Sequence, residues 1–242
     1  HIFSDWLNNL STELKIASTT QATGQDSLNG AEFPSMAVLL REVEGEENYL
    51  VFGPDRFRHG NELDQDFFQI KFVAEYATGD HLFKVGIERE EVDVNNLFAQ
   101  NAEGSYVFDS VDDLQNATAS GLLYNNAVTN DENDLRAIWG YDYTSFYIQD
   151  SWNVTADLDV DFGLRYDRYG SNGDIRLNSN FVQRYGYANT TDIGGLDVLL
   201  PRVSFKWYVS DNTTVRGGIG KFSGGSPGVW ISNSYSNDGV IS

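Results

Sequence analysis

A chain of 242 residues with a formal charge of −20, no cysteine and three histidines has no disulfide framework, no thiolate metal centre and little imidazole chemistry. The acid excess opposes the basic footprint of nucleic-acid binding, and it opposes a peripheral domain held on anionic lipid by Lys and Arg. Aromatic residues at 14%, with 23 Gly and only 4 Pro, describe a β-rich chain with many turns, large enough for one sizeable β domain or two smaller ones. No stretch approaches the roughly 18–20 apolar residues of a transmembrane helix, but a barrel strand crosses a membrane in about 9–11 residues with only every second one apolar.

Residues 1–6 read as the tail of a strand, and seven full strands are expected near 10–20, 66–77, 82–92, 142–154, 158–169, 200–209 and 213–222. They are joined in pairs by a recurring pattern: an aromatic residue, a short polar turn, then an alternating strand. It is seen in SDWLNNLSTELKI (4–16), AEYATGDHLFKVGI (74–87), DSWNVTADLDVDFGL (150–164) and FKWYVSDNTTVRGGI (205–219). The turns centre on Asn8-Asn9, Gly79-Asp80, Ala156-Asp157 and Asp211-Asn212, residue types that tolerate the positive φ of tight hairpins. Between them lie long polar segments, 21–65, 93–141, 170–198 and 223 onward. Short turns at one end and long loops at the other are unusual in a compact soluble domain and normal in an outer-membrane barrel.

Parity assigns the faces. Leu158, Val160, Phe162, Leu164 and Tyr166 oppose Asp159, Asp161, Gly163, Arg165 and Asp167. Phe68, Ile70, Phe72, Ala74 and Tyr76 oppose Gln69, Lys71 and Glu75, while Phe83, Val85 and Ile87 oppose Lys84 and Glu88. Val203, Phe205, Trp207 and Val209 oppose Arg202, Ser204, Lys206 and Tyr208. A soluble sandwich alternates in the same way, so parity leaves the medium beyond the apolar face open. The placement of Trp6, Tyr76, Trp152 and Trp207 just before short turns suits the aromatic girdle of a membrane barrel. On that reading the other face is watery, and Asp159, Asp161, Arg165, Asp167, Arg202, Lys206 and Arg216 are candidate lumen-lining residues.

FYIQDSWNVTADLDVDFGLRYD (146–167) resembles a barrel hairpin of TonB-dependent outer-membrane transporters, and LLPRVSFKWYVSDNTTVRGGIGKFSGG (199–225) looks like the next one. GPDRFRHGNELDQDFFQIKF (53–72) and FKVGIEREEVDVNNLFAQNAEGSYVFDSVDDL (83–114) are similar to the Oar-like branch of that family. The resemblance implies an all-β fold, an antiparallel transmembrane β-barrel with short periplasmic turns, long extracellular loops and about 22 strands around a plugged lumen. Residues 1–242 are then expected to be an internal part of the barrel, without the plug, the N-terminal regions or the closing terminal strand. The implied function is energised uptake of a scarce ligand across the bacterial outer membrane. The implied partners are outer-membrane lipid, the parent's own plug domain, the TonB energy-coupling system and a small ligand or peptide; no nucleic acid, cofactor or catalytic activity is expected. Two alternatives stand beside it: a passive porin or small structural barrel, and a soluble β-sandwich acting as an adhesin or glycan-binding module.

The remaining motifs are weaker. Asp55, Arg56, Arg58 and His59, around Phe57, form a candidate ligand-facing loop, weighed against a hairpin packed above the barrel rim. The run Gly224-Gly225-Ser226-Pro227-Gly228 matches the nucleophile-elbow pattern, but no helical pattern follows it and the last histidine, His81, lies far upstream, so a loop is expected. The acidic runs 109–113 and 130–134 lack the spacing and central Gly of an EF-hand and read as solvated charge. One short helical turn is expected within 111–117.

Overall fold

The computed structural model describes residues 1–25, 28, 30, 32–224, 228–236 and 238–240. Its main body is an eight-stranded antiparallel sheet made of β1 (Ile2–Leu7), β2 (Leu10–Gly24), β5 (Gly60–Thr78), β6 (His81–Ala99), β9 (Ala137–Thr155), β10 (Leu158–Asn172), β11 (Asp197–Ser210) and β12 (Thr213–Gly220). Spatial order follows chain order, so every connection is a hairpin or a looped return. The four tight turns fall where the sequence places them, and Gly79 adopts φ +56°, the left-handed region that favours Gly. The hairpin that turns at Ala156-Asp157 pairs Val160 with Trp152, Phe162 with Asp150 and Leu164 with Ile148, keeping the apolar residues of β10 on one face.

The long connections are not plain loops. The β2–β5 segment contributes β3 (Ser35–Val43) and β4 (Glu46–Phe52), and the β6–β9 segment contributes β7 (Ser105–Phe108) and β8 (Gly121–Leu123). These make a second sheet in the order β4-β3-β7-β8, in which β3 and β7 run parallel and so tie the two connections together. The expected helical turn is α1 (Val111–Gln115), whose first turn is capped by the Ser110 hydroxyl accepting from the Asp113 N–H. A second helix, α2 (Ser179–Tyr185), was not expected.

A third helix, α3 (Gly228–Ser236), corrects the expectation that no helix follows the Gly224–Gly228 motif; residues 225–227 of that motif lie outside the described residues. Its sequence, rich in Ser with Trp, Ile and Asn, has little intrinsic helix preference. Docking holds it instead: Tyr235 stacks on Trp139 with ring centroids 5.9 Å apart, Ile231 joins the same cluster, and Ser232 accepts a hydrogen bond from Asn96. Among the described residues no helix is long and apolar enough to cross a membrane.

The strands β5, β6 and β9 continue beyond the expected ends without a register shift, and along them the apolar phase inverts. Near the tight turns, Phe72, Ile87 and Phe146 share one exposed face. Farther along, Asp66 and Asp93 occupy that face, while Leu63, Phe67, Val92, Val94, Ala137, Trp139 and Tyr141 turn to the other side and pack with Ile231 and Tyr235. Among the described residues the larger core cluster of the main sheet therefore lies at its loop end, under α3.

Candidate functional site

The seven charged residues assigned to a polar face share one in the structure. Cross-strand pairing sets Asp159 opposite Lys206 and Lys206 opposite Arg216, puts Gly163 opposite Arg202, and brings Arg165 and Asp167 onto the same phase of β10. Arg165 anchors the network. Its Nε donates to Asp167 Oδ1 at 2.7 Å, one terminal nitrogen donates to Ser145 Oγ at 2.6 Å, and the other lies 3.4 Å from Glu88 Oε2. Asp167 is only 2% exposed, so its charge depends on these donors together with the Ser145 hydroxyl at 2.6 Å. Nearer the tight turns, Asp161 accepts from Ser151 and Ser204 at 2.6 and 3.1 Å, and Lys84 pairs with Glu75 at 2.5 Å. Arg202, Lys206 and Arg216 make no ion pair among the described residues.

At the loop end the polar face is roofed. In the segment that follows β12, Ser223 donates to Asp167 Oδ2 at 3.3 Å, and α3 lies over β9. Between floor and roof is a cavity of about 260 Å³ lined by Glu90, Tyr141, Tyr143, Arg165, Asp167 and Tyr169 of the sheet and by Ile193, Ser223, Gly224 and Ile231 of the connections and α3. Glu90, Tyr143 and Tyr169 form one cross-strand row. Parity alone places Glu88 and Glu90 on this face. The role of the tyrosines was not legible, because aromatic residues on a polar face read as noise until the roof is known.

The four residues of the 55–59 motif separate. Asp55 is a cap, its carboxylate accepting from the Phe57 N–H at 2.8 Å, and Arg56 lies over the Phe57 ring at 4.7 Å. Asp55, Arg56 and Arg58 are exposed, whereas His59 is 4% exposed and accepts through Nδ1 from the Glu103 N–H at 3.2 Å. Burial holds the His59 ring below its ordinary pKa, against the opposing pull of Glu103 and Asp55. Nearby, burial raises the Glu132 carboxyl, helped by Glu103 and Glu62 and opposed by Arg136. His59, Glu103 and Glu132 belong to a collar where the β2–β5 and β6–β9 connections meet, above a small core of Leu97, Ala99, Ala102, Ala127 and Leu135. In the acidic runs, Asp131 caps a turn through the Asn133 N–H, and no group of three or more metal-binding side chains occurs among the described residues.

An open ladder of alternating strands, apolar on one face and charged on the other, needs lipid on one side or a second sheet. The comparison with known families decides between these: residues 3–239 match the model of the outer membrane beta barrel domain. The chain belongs to the outer membrane β-barrel domain family. Its apolar face is therefore the lipid face in the bacterial outer membrane, its tight turns are periplasmic and its long connections extracellular. Two solved structures are similar in fold. One is the copper transporter OprC, 11% identical with a TM-score of 0.45 over 87% of this chain and 28% of that one. The other is the outer membrane transporter YddB from Escherichia coli, 13% identical with a TM-score of 0.43 over 86% of this chain and 22% of that one. No curated protein matches the chain in sequence.

The barrel domain carries its own depth markers. On the lipid face the row His81–Trp152–Val160 lies toward the periplasmic turns, and the row Arg89–Thr144–Arg168 lies eight residues higher on each strand. Eight residues at ~3.4 Å each, tilted by about 40°, give roughly 20 Å of height, close to the ~25 Å apolar band of such barrels. Arg89 closes the band at the top by pairing with Glu91 at 2.8 Å and Asp142 at 3.0 Å. His81 closes it below, stacked on Phe83 and Trp152 and 2.9 Å from Asp150.

Proposed function

We propose that this domain is an arc of the barrel of a TonB-dependent transporter of the Oar-like branch, which captures a scarce small ligand or peptide outside the cell and draws it inward with energy relayed from the inner membrane. The observation that carries this reading is the roof. A passive pore keeps a water path along its polar face, whereas here α3, Trp139, Tyr235 and Ile231 pack across the extracellular end. An arc whose extracellular end is packed over in this way suits a gated transporter. The hairpin resemblance supports the same reading. So does the open sheet, in which β1 and β12 each have one neighbour, as strands of a larger barrel would in isolation.

In this reading Asp159, Asp161, Arg165, Asp167, Arg202, Lys206 and Arg216 line the lumen. Arg202, Lys206 and Arg216 are the cations left for a plug domain of the parent to neutralise. Asp55, Arg56 and Arg58 face the incoming ligand, and His59 holds their loop from inside. The test is capture of the full-length outer-membrane protein by the periplasmic domain of TonB, with ion conductance of the same protein recorded in a planar bilayer. A TonB complex and a closed bilayer channel are expected. Steady conductance without TonB capture replaces this reading with a passive pore.

A further inference from the structure

We propose that the roofed cavity over Glu90, Tyr143 and Tyr169 is a subsite for a cationic group, an alkylammonium or guanidinium borne by the ligand. The inference rests on the transporter reading and names the chemistry of its ligand. Charge is the first argument. Glu90, Asp167 and the Arg165 guanidinium line the cavity, and that guanidinium is already committed to Asp167, Ser145 and Glu88, which leaves Glu90 without a cation of its own among these. Glu90 keeps acceptor capacity: one oxygen receives the Tyr143 hydroxyl at 3.3 Å and Gln69 at 3.5 Å, and among the described residues the other receives none. An anion would meet this excess of negative charge, and a cation would relieve it.

The walls are the second argument. Tyr143 and Tyr169 have ring centroids 6.0 Å apart and planes inclined by 43°, with Tyr141 one position nearer the mouth on the same face. Phenol faces attract a cation within about 6 Å, most strongly where water is excluded. Ile193 and Ile231 in the roof cover part of the space with apolar surface. At about 260 Å³ the space is below the ~300–1,000 Å³ of whole-ligand pockets, so it suits one charged head with a short apolar stem. Position fits as well, since the cavity lies at the extracellular end of the polar face, where a ligand passing the roof first meets the lumen.

The experiment is isothermal titration of the full-length protein in detergent micelles with n-butylammonium chloride and, separately, with n-butanol. Saturable binding of the ammonium and none of the alcohol is expected. Glu90→Gln should weaken it by about tenfold through loss of the charged partner. Tyr169→Phe keeps the ring face and should stay within about twofold, while Tyr169→Leu should lose about fivefold or more. Each variant is first checked for the heat-dependent gel shift of a folded barrel, and the two sites give independent readouts if one variant fails it. Equal binding of n-butanol, no saturable ammonium binding to the unsubstituted protein, or a folded Glu90→Gln or Tyr169→Leu that binds unchanged overturns the proposal. None of these readings needs TonB. Loss of ammonium binding with TonB capture intact sinks the subsite alone, and the reverse sinks the transporter reading alone.

Discussion

Gly86 lacks a side chain where Tyr147 needs the space. The two are directly paired across β6 and β9, and a Cβ built on Gly86 would lie 2.2 Å from the Tyr147 ring. Gly163 plays the same part under the stem of Arg202, where a Cβ would meet Cγ at 2.9 Å. Replacing Gly86 by Ala removes backbone freedom from the unfolded chain, worth about 0.5–1 kcal/mol in favour of folding. Displacing a seated phenol ring costs more, about 1–3 kcal/mol. Gly86→Ala should therefore destabilise the barrel, and Tyr147→Ala in the same chain should remove most of the penalty. Guanidinium unfolding of both variants in lipid vesicles checks this, and additive effects would mean the ring and the glycine do not share the space. Such pairings show how far residues can be read in advance. Parity alone put Asp159, Asp161, Arg165 and Asp167 on one face, because it needs only the strand itself. The Gly86–Tyr147 fit needs the register between strands 61 residues apart in sequence, which no local pattern carries.

At the level of elements, the strands were legible where lipid dictates them and illegible above. Below the Arg89 row a strand between lipid and water must alternate, and all eight strands and four tight turns follow from that alternation. Above it the outside is water and the inside is the apolar underside of α3, so Asp66 and Asp93 face out while Phe67, Val92 and Val94 face in. The phase shifts by one residue within a continuous strand, and a reader of parity sees an end where none exists. The second sheet was hidden for a different reason. Its parallel β3–β7 pairing joins segments from two connections, and neither has a partner in its own neighbourhood. The collar beneath that sheet should respond to pH with two opposing signs. His59 is held neutral below its ordinary 6.5, so the unfolded collar binds more protons as pH falls from there, and the collar weakens on acidification. Glu132 is held above its ordinary 4.5, so its contribution is complete below that value and is lost as pH rises through the folded pKa. Protease nicking of the extracellular connections on intact outer membranes should accelerate between pH 7.5 and about 5.5 through His59. His59→Gln, which can still accept from the Glu103 N–H, should remove that acceleration. Identical nicking of the unsubstituted and His59→Gln proteins across this range would remove His59 from the response.

For the whole molecule the central physical fact is an inversion: the exposed surface of the sheet is apolar and its interior face is charged. Ile87, Phe146, Phe162 and Leu164 are all more than one-third exposed, while Ser145 and Asp167 are buried. That is unstable in water and stable in a bilayer, and it fixes where the molecule sits. Adjacent residues on β10 make the contrast measurable. Phe162 faces lipid opposite Asp150 and Val203, and Asp161 faces the polar side opposite Ser151 and Ser204. Phe162 lies two residues above the Trp152 row, a quarter of the way up the band, so Arg there should cost ~1–2 kcal/mol, less than the ~2–4 kcal/mol of the midplane, while Arg at Asp161 exchanges one lumen charge for another and should cost less still. A protein core at Phe162 would also reject Arg, so the comparison requires an independent depth marker. Trp152 provides it. It stacks on His81 with ring centroids 5.3 Å apart, in the row that closes the apolar band toward the periplasm, and it remains 36% exposed. In the full-length barrel with every tryptophan except Trp152 replaced by Phe, Trp6, Trp139, Trp207 and Trp230 among them, Trp152 fluorescence should be quenched most by labels near the headgroups and least by labels at the bilayer centre. Deeper quenching would move the periplasmic edge of the band below Trp152. No quenching at any depth, with Phe162→Arg still costly, would place that face against protein and bring the roughly 20 Å lipid band, with both of its closing rows, down with it.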